Sequence, residues 1–145
     1  MNAATRANML RLMSDLTIEQ LNEIPKGFNN NMIWNFAHVI ITQQLLVYKM
    51  AGLPMHIHNE QVELFRKGSK PERMFDAAYF EELKALADST YQQFKTDKKA
   101  GLFKEYKTYA TSYGVTLNNP EDAIAFNNMH EAMHLGYMIA LKKVL

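Results

Sequence analysis

Apolar positions recur at steps of three and four through most of the chain, the spacing of one face of an α-helix. In the first segment, Ala4–Leu16, that face carries Met9, Leu10, Leu12, Met13 and Leu16. Thr17 with Gln20 forms a capping-box pattern, so a short helical turn restarts there and runs to Glu23 before Pro25 and Gly27 end it. The pattern predicts a second helix over Asn31–Ala51, with Ile33, Trp34, Ala37, Ile41, Leu45 and Tyr48 on its apolar face and Gly52 and Pro54 as its stop. Met55–Phe75 has no clear period and reads as a long connection with a helical turn at Gln61–Arg66. A third helix is expected over Ala77–Lys98, capped by Asp76 and facing the core with Phe80, Leu83, Leu86, Ala87, Thr90 and Phe94.

Gly101–Leu117, rich in Tyr, Thr and Gly, reads as a loop crossing over the helices, with Phe103, Tyr106, Tyr109 and Tyr113 packed against them. Asn119-Pro120-Glu121-Asp122 places a cap, a proline at the first helical position and two acids in the first turn, which starts a last helix over Pro120–Lys143. No alternating strand pattern competes. The sum is one all-α domain, residues 1–145, built as a four-helix bundle with long connections after the second and third helices.

Composition narrows the classes. With 48% hydrophobic and 21% charged residues in 145, the chain is an ordered domain rather than a disordered one. Sixteen basic and fifteen acidic residues leave a net charge of +1, with no basic field for nucleic acid and no polybasic membrane patch. The most apolar stretch, Met32–Pro54, is interrupted by Asn35, His38, Thr42, Gln43, Gln44 and Lys49, so it reads as a buried helix and not a membrane span. The first sixteen residues lack the apolar core and cleavage site of a secretory signal. There is no cysteine, which excludes disulfides, thiolate ligands and a cysteine nucleophile, and a disulfide-free domain suits the cytoplasm. The ten methionines include Met9, Met13, Met129, Met133 and Met138, expected as adaptable core rather than a partner surface.

The chemistry lies in the histidines. His130 and His134 stand one turn apart in HEAMH, sharing the expected core face with Phe126, Met133, Tyr137 and Leu141. His38 lies on the apolar face of the second helix, between Trp34 and Ile41. Three imidazoles from two helices suit Zn²⁺, Ni²⁺, Cu²⁺ or Fe²⁺ and leave a position open for water or substrate. A single core histidine is usually hydrogen-bonded and inert; the third inward ring turns the balance toward a metal, because three unpaired buried imidazoles are costly. His56 and His58 read as solvated loop residues. Trp34 and Tyr137 are candidates for a pocket wall, with ordinary core packing preferred for Trp34 and Met133.

HEAMH also matches the H-E-x-x-H signature of zinc proteases, with Glu131 as base. That reading fails on the third ligand: Ala140 and Tyr137 stand where the longer signature needs His and Gly, and no acid follows Glu131. Glu131 is expected at the edge of the site, at a subunit interface, or in solvent.

Two segments carry a family resemblance. NNMIWNFAHVIITQQ, at Asn30–Gln44, resembles the part of the DinB-like (DinB/YfiT) superfamily in which Asn-x-x-Trp-x-x-x-His opens the second helix. TSYGVTLNNPEDAIAFNNMHEAMHLGYMIALKKV, at Thr111–Val144, resembles its last helix, with His-x-x-x-His-x-Gly. The resemblance implies an up-down-down-up four-helix bundle and a divalent metal held by His38, His130 and His134. It further implies homodimers formed through bundle helices and, in characterised members, transferases or an isomerase that use a low-molecular-weight thiol. The expected protein is therefore a metal-dependent bundle, with Zn²⁺ or Ni²⁺ as the leading ions, acting as a thiol transferase or hydrolase on a small electrophile. The alternative is a non-catalytic metal-binding or dimerisation module.

Overall fold

The computed structural model describes residues 2–145, and among these the helices dominate. In chain order they are α1 (Asn2–Met13), α2 (Ile18–Asn22), α3 (Met32–Gln43), α4 (Asn59–Phe65), α5 (Ala77–Lys99) and α6 (Pro120–Lys142). The capping residues act as their sequence positions require. Thr17 accepts from the Gln20 amide, while the Gln20 side chain accepts from the Thr17 amide. Asn31, Asp76 and Asn119 accept from the amides of Trp34, Tyr79 and Asp122. Each such cap is worth about 1 kcal/mol. Among the described residues no helix is long and apolar enough to cross a membrane.

Three features depart from the sequence expectations. First, α3 is not amphipathic. Every residue from Asn31 to Ile41 is buried, because α1, α2, α4, α5 and α6 all pack against it. Second, the helical run beyond Gln43 changes winding, with a π-helical turn over Gln44–Tyr48 and a 3₁₀ turn over Lys49–Ala51, and it stops at Gly52, whose φ of 70° suits glycine. Gln43 and Gln44 are both fully buried, yet they serve different partners: Gln43 accepts from Arg6, and Gln44 from the His56 amide. Third, the crossing loop holds a short antiparallel hairpin, β1 (Tyr109–Ala110) with β2 (Thr116–Leu117), too brief for a visible alternation. Phe103 packs edge-on against Tyr48, and the Tyr106 hydroxyl donates to the Leu46 carbonyl, whereas Tyr113 is 63% exposed.

The buried side of α6 also differs. Its core positions are Ala123, Asn127, Glu131, Met138 and Leu141, while Met133 and Tyr137 face outward. The residue that turns the helix is Glu131, fully buried against an equally buried Arg6 from α1. Arg6 Nη2 donates to Glu131 Oε1 at 2.9 Å and to Gln43 at 2.9 Å, and Nη1 donates to the Ala87 carbonyl at 3.0 Å. Asn127 donates to the same Glu131 oxygen at 3.0 Å. Glu131 thus lies neither in solvent nor at a site edge. A charged residue carries no hydrophobic signal, and it is chiefly the guanidinium 125 residues away that makes its burial tolerable. Met9, Met13 and Met138 are core, but Met129 and Met133 are exposed.

Candidate metal centre

His38 comes from the middle of α3, and His130 and His134 from successive turns of α6, two helices packed side by side. Their rings converge. Centroid separations are 5.1 Å for His38–His130, 4.8 Å for His38–His134 and 4.5 Å for His130–His134. One nitrogen from each lies within 4.8 Å of the others. A tetrahedral cation with bonds of 2.0–2.1 Å needs its nitrogens about 3.4 Å apart, so the widest pair has to close by about 1.4 Å.

On two of the three rings Nδ1 is already committed. His38 Nδ1 lies 2.6 Å from the Phe65 carbonyl, which can only accept, so Nδ1 carries the proton and Nε2 the lone pair. His134 Nδ1 lies 2.8 Å from Asn35 Oδ1. The amide nitrogen of Asn35 donates to the Asn31 carbonyl at 2.8 Å, which leaves its oxygen to accept from His134. Oxygen acceptors behind the rings are the usual second shell of histidine ligands; they fix tautomer and orientation. Nδ1 of His130 is buried with no partner among the described residues. Thr42 donates to His38 Nε2 across 3.3 Å, a long contact. Trp34 stacks on His38 at 4.5 Å and 10° between planes, and its Nε1 donates to Ser69.

Burial and mutual repulsion hold the cluster neutral. Burial, then the neighbouring rings of His134 and His38, pushes His130 down to about 3. Burial, then His38, pushes His134 down to about 4. His38 is also lowered, mainly by burial, against the opposing pull of the Phe65 carbonyl. At neutral pH all three therefore offer lone pairs, as a cation requires. An orphaned buried nitrogen, three neutral imidazoles and a prepared second shell together fit a divalent metal.

The cluster opens onto a cavity of about 770 Å³ between α3, α6, the crossing loop and the turn after α4. Trp34 and Met133 line it; Tyr137 does not, and instead packs edge-on against Phe28 at 5.4 Å. Neither loop histidine joins the cluster. His56 is exposed near Asp97, at 3.6 Å, and the exposed His58 starts α4.

A family model described as the DinB superfamily matches residues 1–138. The chain belongs to the DinB superfamily. A search of curated proteins returns no relative. In this DinB-superfamily chain the sequence reading missed Asn35, Thr42 and the Phe65 carbonyl. Asn35 had a signal, an amide three residues before His38 in an otherwise apolar run; the other two had none, because a backbone acceptor and a helical threonine look ordinary in a sequence.

Proposed function

We propose that His38, His130 and His134 hold a divalent cation, Zn²⁺ or Ni²⁺, and that the protein uses it on a small electrophile as a thiol S-transferase or hydrolase. The observation that carries this reading is the convergence of three neutral imidazoles on the wall of an open cavity, two of them already braced from behind. When bound, a cation with three protein ligands supplies an acidified water or thiol at its open position. The chain's own part is orientation. Asn35 and the Phe65 carbonyl hold the rings, Trp34 covers one face of His38, and Thr42 offers a hydroxyl beside Nε2. Glu131 takes no part as a base, since Arg6 and Asn127 engage its carboxylate inside the bundle.

The test is the metal content of protein made without a His-tag and without nickel resin. About one equivalent, lost in His130→Ala, supports the centre. Substoichiometric metal unchanged by that substitution ends it. A protein that holds one equivalent yet shows no metal-dependent turnover of thiol and electrophile is a binding module instead.

The same reading includes a second copy of the chain as partner. Between Asp122 and Lys142 the outward side of α6 has no charged residue and presents Tyr137 and Ile139 next to Met129 and Met133 at the rim of the cavity, the kind of surface that marks an interface.

A further inference from the structure

The lining of the cavity has a charge imbalance that the whole chain lacks. Lys49, Lys67 and Lys70 line it, and no aspartate or glutamate does, although acids and bases are nearly equal in number overall. None of these three lysines forms an ion pair among the described residues, whereas Arg66, Arg73 and Lys84 nearby in the chain each hold a carboxylate. The rest of the wall mixes neutral polar residues, Asn29, Asn30, Thr111 and Ser112 among them, with an apolar part that includes Leu45, Phe126 and Met129.

The lysine-bearing turn is not a loose tail. Ser69, between Lys67 and Lys70, donates to the Leu64 carbonyl at 2.8 Å and accepts from Trp34 Nε1 at 3.0 Å. Trp34 in turn stacks on His38. One hydrogen bond and a stack therefore tie the cationic turn to the histidine cluster, and the bond to Leu64 holds the turn itself. By contrast, the cavity between α1 and α5 contains Arg11, Lys84 and Glu81, and there the lysine is already neutralised by the glutamate.

We propose that this cavity takes an organic anion with an apolar body: a carboxylate, sulfonate or phosphate held by Lys49, Lys67 and Lys70, with the apolar part against the Leu45, Phe126 and Met129 wall beside the histidines. A positive rim over apolar walls raises the local concentration of such a molecule and fixes which end enters. The assignment rests on the cavity being the substrate cleft of the metal centre, so its test is run on metal-stripped protein, where failure of metal binding cannot affect the result.

The probes are 8-anilinonaphthalene-1-sulfonate and its uncharged parent N-phenyl-1-naphthylamine, each titrated by fluorescence. The wild type should bind the sulfonate about tenfold or more tighter than the parent. The exposed pair K67E/K70E should weaken the sulfonate by about tenfold and leave the parent within about twofold. The distant pair K98E/K99E should change neither. Equal affinity for the two probes, an unchanged sulfonate affinity in K67E/K70E, or an equal loss in K98E/K99E overturns the proposal. If K67E/K70E loses both probes alike, the turn has moved, and K49E decides: selective loss of the sulfonate there upholds the proposal, and an unchanged affinity overturns it.

Discussion

Two clusters of buried polar side chains lie one residue apart on α6, and they are built in opposite ways. Glu131 belongs to the first. It meets Arg6, Asn127 and, through Arg6, Gln43, Thr90 and the Ala87 carbonyl, so one guanidinium ties α1, α3, α5 and α6 together. His130, its neighbour, belongs to the second. There the rings are crowded, neutral and incompletely partnered, and they open onto a cavity. The first cluster is closed by a paired charge away from any cavity, although Gln43 Nε2 and Asn127 Oδ1 keep no hydrogen-bond partner among the described residues, and it serves structure. The second has no counter-charge and keeps a ring nitrogen unpaired beside a cavity, an arrangement suited to something added later. The comparison also explains why HEAMH is not a protease signature: its glutamate and its histidines face different neighbourhoods.

The largest effect should come from breaking the first cluster. Glu131→Ala leaves Arg6 buried without its counter-charge and should cost about 3–5 kcal/mol in urea unfolding. The double replacement R6M/E131L removes both charges and should recover most of that loss. If the single variant unfolds like the wild type, the ion pair is not the brace described.

Next comes the second cluster. Adding Zn²⁺ at about 100 times its Kd should stabilise the metal-stripped protein by about 2.7 kcal/mol, and in His130→Ala the gain should vanish. Calorimetric scans with and without metal check both. Asn35→Leu frees the His134 ring to turn and should weaken metal affinity by about 10- to 100-fold, read by competition with a chelator. Its effect on the metal-free fold should be far smaller than that of Glu131→Ala.

Acid sharpens the contrast further. The folded-state values of His130 and His134 lie below the ordinary 6.5, so the unfolded chain binds protons first as pH falls. Stability from these rings is complete above about pH 6.5 and is lost on descending toward 4 and 3, by up to about 1.4 kcal/mol per pH unit per ring. Urea midpoints of metal-stripped protein between pH 7 and 4 should show this slope, and replacing both histidines should flatten it. The smallest effect on folding is expected from Met133→Lys on the outward side of α6. It should change stability by no more than about 0.5 kcal/mol while shifting any dimer seen by light scattering toward monomer.

Much of this was legible along the chain. The third and sixth helices begin where Asn31 and Asn119 cap them, and α5 spans nearly the expected range, because capping and a 3.6-residue period are local effects. The three histidines stood out because each interrupts an apolar helix face. The orientation of α6 was not legible. The apolar pattern favoured Met133 and Tyr137 as core, and the structure buries Glu131 instead, since a carboxylate's burial depends on a partner the local pattern cannot contain.

The sequence by itself determined the helical elements, their caps and the residue types able to bind a metal, because propensity, capping and side-chain chemistry act within a few residues. Only the tertiary structure decided which nitrogens are free, which carboxylate is locked and where the lysines gather. Those outcomes depend on groups that are distant along the chain and meet within a few ångströms, where desolvation and pairing set the energies.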